Sequence, residues 1–462
     1  MEFVDRKTEL AYLEDRHARG DFQFIPIYGR RRVGKTRLVR EFMKKRPGIY
    51  FMADTASERE QLMNLGREVG GFFRDDILVS SGFRDWPQVF AYLQEKARHQ
   101  RLVFTVDEFP YLVGANPAVS SIFQKGLDLG LKDSRLMLLL TGSSIGMMEE
   151  EVLLARAPLY GRRTGSLEVR ELPFDAFSEL FPGMPCADRI AVYSLFGGIP
   201  AYLETVFPAA PVMDMIRRSV LDRGSFLYNE VEFLLREELR EPRNYFVILR
   251  AIAQGKRKIS EIINDTGLDK AHVSRYLDIL RSLRLVEKQV PVTEQYPDKS
   301  RAGLYRIHDR FFTFWFRYVF PLRGRLEIGQ TDHVLQRIAG TFEAFVGEAY
   351  EDVSRELCLK LMKEGVMSFT SLGRWWERNE EIDVVALDEE ECVAWFGECK
   401  WSRKKVGVNV YDDLVRKSKL VSWRRGERSD RFVLFSRSGF TDAMIARAKE
   451  DGVVLVHGDE VR

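Results

Sequence analysis

Short apolar runs alternate with helix-length segments over about the first 175 residues of the chain. Continuous apolar runs are typical of strands buried on both faces, whereas half-exposed strands alternate with period two. Intervening helices can provide the crossovers that parallel strands require. The pattern therefore predicts a parallel sheet covered on both faces by helices. Its strands are predicted at residues 22–28, 49–53, 102–106, 136–141 and 166–172.

The rest of the chain changes character twice. Residues 176–237 read as helical, and three further helical segments are predicted at 243–253, 259–266 and 270–285. Strand-like stretches at 285–292 and 303–307 follow, which together indicate a helix-turn-helix with a β-hairpin wing. A second α/β domain comes last, with a helix at 334–361, strands at 381–387 and 392–399, a helix at 410–421, and strands at 431–436 and 452–456.

These patterns predict an α/β multidomain chain. The four predicted domains are an α/β core at 1–175, a helical lid at 176–237, a winged helix-turn-helix at 238–322, and the second α/β domain at 328–462.

Composition excludes several classes of protein. Hydrophobic residues make up 45% and charged residues 30%, as in ordinary globular proteins, and the net charge of +2 confines any nucleic-acid contact to local patches. The four cysteines form no CxxC pair, which argues for a reducing compartment and against structural zinc. The first ten residues are charged, and no apolar run approaches the roughly 20 residues of a membrane span. We expect a cytoplasmic protein without a membrane partner.

The segment GRRRVGKT joins the first predicted strand to a helix. A glycine-rich turn before a helix exposes backbone N–H groups that bind phosphates. Lys35 can reach the β- and γ-phosphates, and the Thr36 hydroxyl can bind Mg²⁺. The sequence therefore predicts ATP and Mg²⁺ as cofactors. The nucleotide-binding residues predicted here are Gly29, Arg32, Val33, Gly34, Lys35, Thr36 and Arg37.

Two acidic residues follow the third predicted strand. Asp107 suits a partner of the magnesium ion, and Glu108 suits the base that orients the attacking water. Ser143 follows the fourth predicted strand and is expected beside the γ-phosphate as a sensor. An ordinary small-residue turn is the alternative for that loop.

Six motifs in order resemble the predominantly archaeal ATPase family, a relative of AAA and STAND switches. They are FVDRKTEL, GRRRVGKT, FTVDEF, LLTGSS, PLYGRR and GGIPAYL. The resemblance covers about residues 1–235 and implies a P-loop ASCE parallel sheet with a helical lid. It also implies that residues 3–6, including Arg6, lie against the adenine and that Pro200 lies near the nucleotide. Arg162 is implied as a charge stabiliser at the γ-phosphate, acting in its own subunit or a neighbour's. A solvated Arg162–Arg163 pair is the alternative.

The predicted winged helix carries a modest excess of basic residues. Residues 256–288 contain eight Lys or Arg against five Asp or Glu. His272, Ser274 and Arg275 would lie early on the third helix, where recognition helices contact base edges. DNA is the expected partner, but a winged helix can also couple domains. A homo-oligomer or a protein partner is left open.

A second set of candidate residues lies in the last domain. Asp383 is followed by Glu398 and Lys400 in the spacing D-x14-E-x-K of the PD-(D/E)XK nuclease core. Asp383 and Glu398 can hold Mg²⁺ or Mn²⁺, and Lys400 can orient or activate a water. Glu351 matches the helix glutamate of that core, with Glu348 as a second choice.

The segment GRWWERNEEIDVVAL…WFGECKW also resembles the C-terminal domain that accompanies many of these archaeal ATPases. That domain is similar to the restriction-endonuclease fold, so the resemblance implies an αβββαβ nuclease-like domain. A nuclease-like fold kept as a DNA-binding or scaffold module is the alternative.

The sequence therefore predicts an ATP-hydrolysing, DNA-acting protein in which the ATPase gates a metal-dependent nuclease-like domain. The predicted catalytic residues are Lys35, Glu108, Arg162, Glu351, Asp383, Glu398 and Lys400. One alternative is a STAND-like signalling or regulatory switch that binds DNA or a protein without cleavage. A transcriptional regulator using the winged helix is another.

Overall fold

The computed structural model describes residues 3–239 and 241–461 of the 462-residue chain. It divides into two compact units. The first comprises the chain up to Leu172 together with residues 199–201, and the second comprises residues 173–198 and the chain from Tyr202 onward. Among the described residues, no helix combines the length and apolar character needed to cross a membrane.

The first unit contains a five-stranded sheet in which every pairing is parallel, as the sequence predicts. The strands are β1 (Gln23–Tyr28), β2 (Gly48–Met52), β3 (Leu102–Asp107), β4 (Leu136–Gly142) and β5 (Leu167–Glu168). Their order is β2-β3-β4-β1-β5, so β4 lies between the strand before the GRRRVGKT loop and the strand that ends in Asp107. This arrangement is consistent with a P-loop ATPase fold.

Helices surround this sheet, and an aromatic cluster fills the core on one side. The helices are α1 (Lys7–Ala18), α2 (Lys35–Met43), α3 (Glu58–Phe73), α4 (Asp76–Ser81), α5 (Trp86–Lys96), α6 (Phe109–Ala115), α7 (Val119–Asp128) and α8 (Ile145–Met148). Phe123 of α7 contacts three other rings, those of Trp86, Phe90 and Phe109, with centroids 5.0 to 5.4 Å apart. This cluster joins α5, α6 and α7 into one hydrophobic core.

The fifth strand is shorter than the run at 166–172 predicts. Val169 still donates to the carbonyl of Tyr28, but the next carbonyl, that of Arg170, accepts from the guanidinium of Arg6 at 2.6 Å. Neighbouring residues of a strand direct their backbone groups to opposite edges, so this carbonyl faces away from β1. The pairing ends because β1 itself ends at Tyr28 and leaves β5 without a strand partner beyond that point.

The second unit begins with helices, as the sequence predicts for this stretch. They are α9 (Phe174–Leu180), α10 (Cys186–Phe196), α11 (Pro200–Leu203, which starts in the first unit), α12 (Val212–Met215) and α13 (Glu230–Glu238). A π-helical turn, Ile216–Leu221, continues α12.

The winged helix has the three helices and the hairpin that the sequence predicts. They are α14 (Arg243–Ala253), α15 (Ile259–Thr266), α16 (Lys270–Ser282), β6 (Val286–Gln289) and β7 (Leu304–Ile307). Val273, Leu277 and Leu280 of α16 are fully buried. The helix ends before the predicted residue 285 because Arg284 adopts a left-handed conformation, with φ 56°, and turns the chain into β6.

The remaining elements form a mixed sheet behind a long helix. The helices are α17 (Arg310–Phe314), α18 (Arg323–Glu327), α19 (Thr331–Lys363), α20 (Val408–Ser418) and α21 (Asp442–Asp451). The strands are β8 (Ser371–Glu377), β9 (Glu380–Asp388), β10 (Val393–Lys400), β11 (Ser429–Ser436), β12 (Val454–His457) and β13 (Glu460–Val461). The sheet order is β13-β12-β11-β10-β9-β8. The β8–β9 and β9–β10 pairs are antiparallel, whereas β10 pairs with β11 in parallel.

The aromatic cluster gives a first testable prediction. Phe123→Ala should lower the free energy of unfolding of the first unit by about 3–5 kcal/mol, because it removes the ring at the centre of the cluster and leaves a cavity. Urea denaturation monitored by circular dichroism measures the change. The unfolding transition that ATP moves to higher urea concentration is assigned to the first unit, because a ligand stabilises the folded unit that binds it. Leu129→Ala is the control, since Leu129 is 84% exposed. Equal effects of the two changes would contradict the prediction.

Candidate functional site

The loop between β1 and α2 takes its shape from two glycines. Gly29 has φ +150°, and a Cβ atom there would lie only 2.2 Å from the carbonyl oxygen of Val169. Gly34 precedes α2 in a left-handed conformation with φ 95°, which glycine adopts without strain. The loop therefore leads directly into the first N–H groups of α2, the kind of helix start that binds anions.

Lys35 is the first residue of α2, directly after this loop, and is only 4% exposed. Its Nζ donates to the carbonyl oxygens of Gly29 and Arg30 at 2.7 and 2.9 Å. A charged phosphate oxygen is a stronger acceptor than a neutral carbonyl. The lysine is thus held at the loop by bonds that a phosphate group can replace.

Asp107 is the buried centre of the strand ends. Its carboxylate accepts hydrogen bonds from the hydroxyls of Thr36, at 2.8 Å, and of Tyr50 and Thr141. Burial and the Asp107 carboxylate raise the pKa of Tyr50, so the phenol remains a donor. Sequence analysis predicted Asp107 and Thr36 but missed Tyr50 and Thr141. Both missed residues lie inside strands, where a hydroxyl carries no motif of its own.

The carboxylate of Glu108 is held by the loop after β4. The residue has a left-handed φ of 57° and ends its strand abruptly. Its carboxylate accepts from the backbone N–H of Ser143 at 3.1 Å and from the Ser143 hydroxyl. The predicted base and the predicted sensor therefore touch each other.

Arg6 has one backbone partner in the loop before α2 and another just after β5. Its guanidinium donates to the carbonyls of Val33, at 3.1 Å, and Arg170. Arg37, also predicted to bind nucleotide, lies over the ring of Phe3, with 5.8 Å between guanidinium carbon and ring centroid. The N-terminal segment is thus fixed against the phosphate-binding loop. Its contact with adenine stays a prediction.

Two further predicted residues lie in different surroundings. Pro200 is close to the loop, with its Cγ 3.9 Å from the position that a Cβ of Gly34 would occupy. Arg162 instead forms an ion pair with Asp128 at 2.8 Å, which together with Lys132 lowers the pKa of that carboxyl to about 2. Arg162 bonds Asp128 of α7 and the backbone of its own loop, and its role at a phosphate stays a prediction.

The structure brings the C-terminal candidates together on α19, β9 and β10. The ammonium of Lys400 lies 2.5 Å from Glu398 Oε1, and the Asp383 carboxylate accepts from the backbone N–H of Cys399 at 2.9 Å. The antiparallel register places Val384 opposite Gly397, so Asp383 and Glu398 are neighbours across the pair. Both carboxylates are more than nine-tenths buried.

The electrostatics of this cluster follow from burial and crowding. Burial and the neighbouring Asp383 raise the pKa of Glu398. Burial opposes the charge of Lys400, but Glu398 and Asp383 outweigh it and raise the pKa of the lysine. Burial, opposed by Arg374 and reinforced by Asp383, raises the pKa of Glu351 to about 7. Three acids close together in a poorly hydrated place favour a cation among them.

Two of these carboxylates could contribute ligands to a divalent ion. Glu398 Oε2 is buried and has no hydrogen-bond donor within reach among the described residues, the ammonium of Lys417 being 3.7 Å away. Within residues 3–239 and 241–461, no three His, Cys, Asp or Glu side chains already surround one point closely enough to hold a metal. Asp383 and Glu398 can therefore supply two ligands, and water or substrate oxygens would supply the rest, as is usual for Mg²⁺.

Sequence analysis missed three cations around this cluster. Arg374 lies 3.3 Å from Glu351, Arg355 donates to the backbone carbonyl of Asp383 at 2.7 Å, and Lys417 faces Glu398. Each comes from a different element, so no local pattern in the sequence groups them with D-x14-E-x-K.

The start of α16 presents the predicted DNA-contacting residues to solvent. His272 and Arg275 are exposed, and Ser274 is partly exposed. Asp269 caps the helix and also bonds the His272 ring.

Comparison with protein-family models identifies three regions. Residues 3–206 match an ATPase domain found predominantly in Archaea. Residues 247–288 match the bacterial regulatory proteins of the arsR family, which corresponds to the helix-turn-helix. Residues 315–410 match a family of archaeal and bacterial proteins of unknown function.

An uncharacterized protein of Methanocaldococcus jannaschii is 37% identical over 423 residues, which cover 91% of this chain and 92% of the relative. The chain belongs to the same family. An uncharacterized ATP-binding protein of the same organism is 46% identical over 44 residues, or 10% of this chain and 75% of that relative. This family member is thus an archaeal-type ATPase with a helix-turn-helix and a C-terminal domain whose activity the comparisons leave open.

Two solved structures are similar in fold. A Walker-type ATPase of Pyrococcus abyssi is 22% identical with a TM-score of 0.49, and the match covers 68% of this chain and 96% of that one. The ORC2 protein of Aeropyrum pernix, in ADPNP and ADP complexes, is 13% identical with a TM-score of 0.44, covering 73% and 96%. At TM-scores below 0.5 neither likeness bears on function or assembly.

The nucleotide site gives a second prediction. Glu108→Gln should slow ATP hydrolysis at least about 100-fold, because an amide cannot act as a base, and leave ATP binding nearly unchanged. Lys35→Ala should weaken binding as well as hydrolysis. Phosphate release and calorimetric titration with ATP measure the two effects.

Glu95→Gln is the matched control, since Glu95 is an exposed carboxylate on α5 of the same unit. Undiminished hydrolysis by a folded Glu108→Gln protein would remove Glu108 from the catalytic role.

Proposed function

We propose that this protein binds and hydrolyses ATP, acts on DNA, and uses its ATPase to gate a metal-dependent nuclease-like C-terminal domain. The observation that carries the nuclease part is the cluster of Asp383, Glu398 and Lys400 on one antiparallel strand pair, with Glu351 on the helix beside it. The ATPase part is supported by the match of residues 3–206 to the archaeal ATPase domain, whereas the DNA-directed role and the nuclease belong to the proposal.

In the ATPase, the loop residues have separable tasks. Lys35 would exchange its carbonyl partners for the phosphates of ATP. Thr36 and Asp107, which already share a hydrogen bond, would hold Mg²⁺ against those phosphates. Glu108 would orient the attacking water after releasing Ser143, so the contact between them ties hydrolysis to the position of the β4 loop.

In the C-terminal domain, the chemistry is hydrolysis of a phosphodiester. One water adds to phosphorus, the P–O ester bond breaks, and the leaving oxygen takes a proton. Mg²⁺ or Mn²⁺ held by Asp383 and Glu398 would supply stabilisation of negative charge on the phosphate. Lys400, held ionised by Glu398, would orient the attacking water or stabilise the same charge.

DNA as substrate is supported by the exposed start of α16 and by the basic segment after β10. Arg403, Lys404 and Lys405 directly follow the Lys400 strand and are exposed, so they can contact backbone phosphates. Gating is supported by the presence of both candidate sites in one chain.

A cleavage assay tests the proposal. The full chain is incubated with plasmid, linear duplex and single-stranded DNA, with Mg²⁺ or Mn²⁺, and with or without ATP. Lys400→Ala should slow strand scission at least about 100-fold, the scale for losing one group that aids proton transfer. Its ATP hydrolysis should stay measurable, and Lys35→Ala should change the ATP dependence of scission.

Lys449→Ala serves as the control, since Lys449 is an exposed lysine on α21 of the same domain. Loss of both activities in a folded Lys400→Ala protein would contradict separate sites. No scission by the unaltered protein on any substrate would overturn the nuclease and favour a switch that binds DNA or a protein partner without cleavage.

A further inference from the structure

One face of α19 is an acidic stripe that contacts the winged-helix region. Glu348, Asp352 and Glu356 are spaced four residues apart, which places them on the same side of the helix. Each meets arginines from elements before α18. The pairs are Arg257 and Arg317 with Glu348, Arg306 and Arg310 with Asp352, and Arg310 with Glu356. The winged helix is thus attached to α19 through charges.

Asp352 is the centre of this stripe. Its carboxylate accepts two bonds from Arg306 of β7, at 2.7 and 2.9 Å, and one from Arg310 at 3.3 Å. Arg355, one turn further along α19, donates to it as well. Arg306 also bonds Glu287 of β6, so the whole hairpin is tied to this carboxylate. The Asp352 side chain is only 15% exposed, which makes each partner costly to remove.

Arg355 extends the connection to the candidate metal site. One guanidinium nitrogen bonds Asp352, and the other donates to the backbone carbonyl of Asp383 at 2.7 Å. The carboxylate of the same Asp383 accepts the N–H of Cys399. Three bonded contacts, through Asp352 and Arg355, therefore lead from Arg306 of β7 to a residue that would hold the metal.

The loop of the wing reaches the same site by a second route. The backbone N–H of Val292 donates to the carbonyl of Arg374 on β8 at 2.8 Å, and the Trp376 indole donates to the Ala302 carbonyl at 3.2 Å. Arg374 in turn lies beside Glu351. Through these two bonds the wing contacts β8, the strand that carries Arg374 beside Glu351.

We propose that Asp352 is a positioning residue whose ion pairs with Arg306 and Arg355 make the winged helix set the geometry of the metal-site carboxylates. Nucleic acid bound by the winged helix would then alter metal binding through these contacts. The presence of a metal at this site rests on the proposed function. The coupling between the winged helix and Asp383 rests on the contacts described above. It assigns the winged helix a part in the C-terminal site beyond DNA contact.

The test uses the full chain with Arg306→Gln and Asp352→Asn. Amide hydrogen exchange is measured in the peptide covering residues 396–400, where the Cys399 N–H is protected by Asp383. Both variants should lose protection there. In a separate titration followed by electron paramagnetic resonance, both should bind Mn²⁺ about 10-fold more weakly, the usual scale for removing an outer partner of a metal ligand.

Arg317→Gln is the matched control, because Arg317 pairs with the same acidic stripe at Glu348 and is similarly exposed. It should leave both readouts unchanged. Arg306→Lys keeps the charge but not the planar guanidinium group, so its Mn²⁺ affinity should lie between those of the unaltered chain and Arg306→Gln. It also serves as the milder change if Arg306→Gln does not fold.

Equal exchange in Arg306→Gln and Arg317→Gln would overturn the coupling whether or not metal binds. Absence of Mn²⁺ binding by the unaltered chain would instead overturn the metal site of the proposed function, and the exchange measurement would still decide the coupling.

Discussion

Each candidate site is built around a carboxylate that is buried on a strand of its sheet. A buried charge is stable only where hydrogen-bond donors or cations surround it, so each site depends on the partners of that carboxylate. Asp107 obtains its donors from Thr36, Tyr50 and Thr141. These residues lie at the start of α2 and on the two strands that flank β3, so the three elements must meet around one side chain. Asp383 solves the same problem with the N–H of Cys399 on the adjacent strand.

Helix α19 shows how one element serves two purposes. Glu351 faces Arg374 and the candidate metal site, while the next residue, Asp352, faces the arginines of the winged helix. Adjacent residues of a helix point about 100° apart, so a single helix can present different charges to two neighbours. The winged helix and the C-terminal sheet belong to the same compact unit.

The elements most accurately predicted were those with continuous apolar runs. The strand predicted at 102–106 is β3, and the helix predicted at 243–253 is α14. A strand buried on both faces is apolar throughout, and a helix buried along one side has apolar residues at helical spacing, so both patterns can be read from the sequence. The edge strands were harder. The strand predicted at 166–172 was wrong in length, since β1 ends at Tyr28 and β5 has no strand partner beyond it. Strand β8 has no continuous apolar run by which it could be delimited.

The sequence alone determined the chemistry of the candidate sites: a phosphate loop, an acidic pair after a strand, and an Asp, Glu and Lys in fixed spacing. Those groups lie within a few residues of each other or of a strand end. Over such short distances the periodicity of the helix or strand decides to which side each side chain points. Only the tertiary structure decided their partners. That Tyr50 bonds Asp107, that Arg162 bonds Asp128, and that Arg306 bonds Asp352 depends on elements far apart in the chain. Such contacts follow from packing, which no local pattern records.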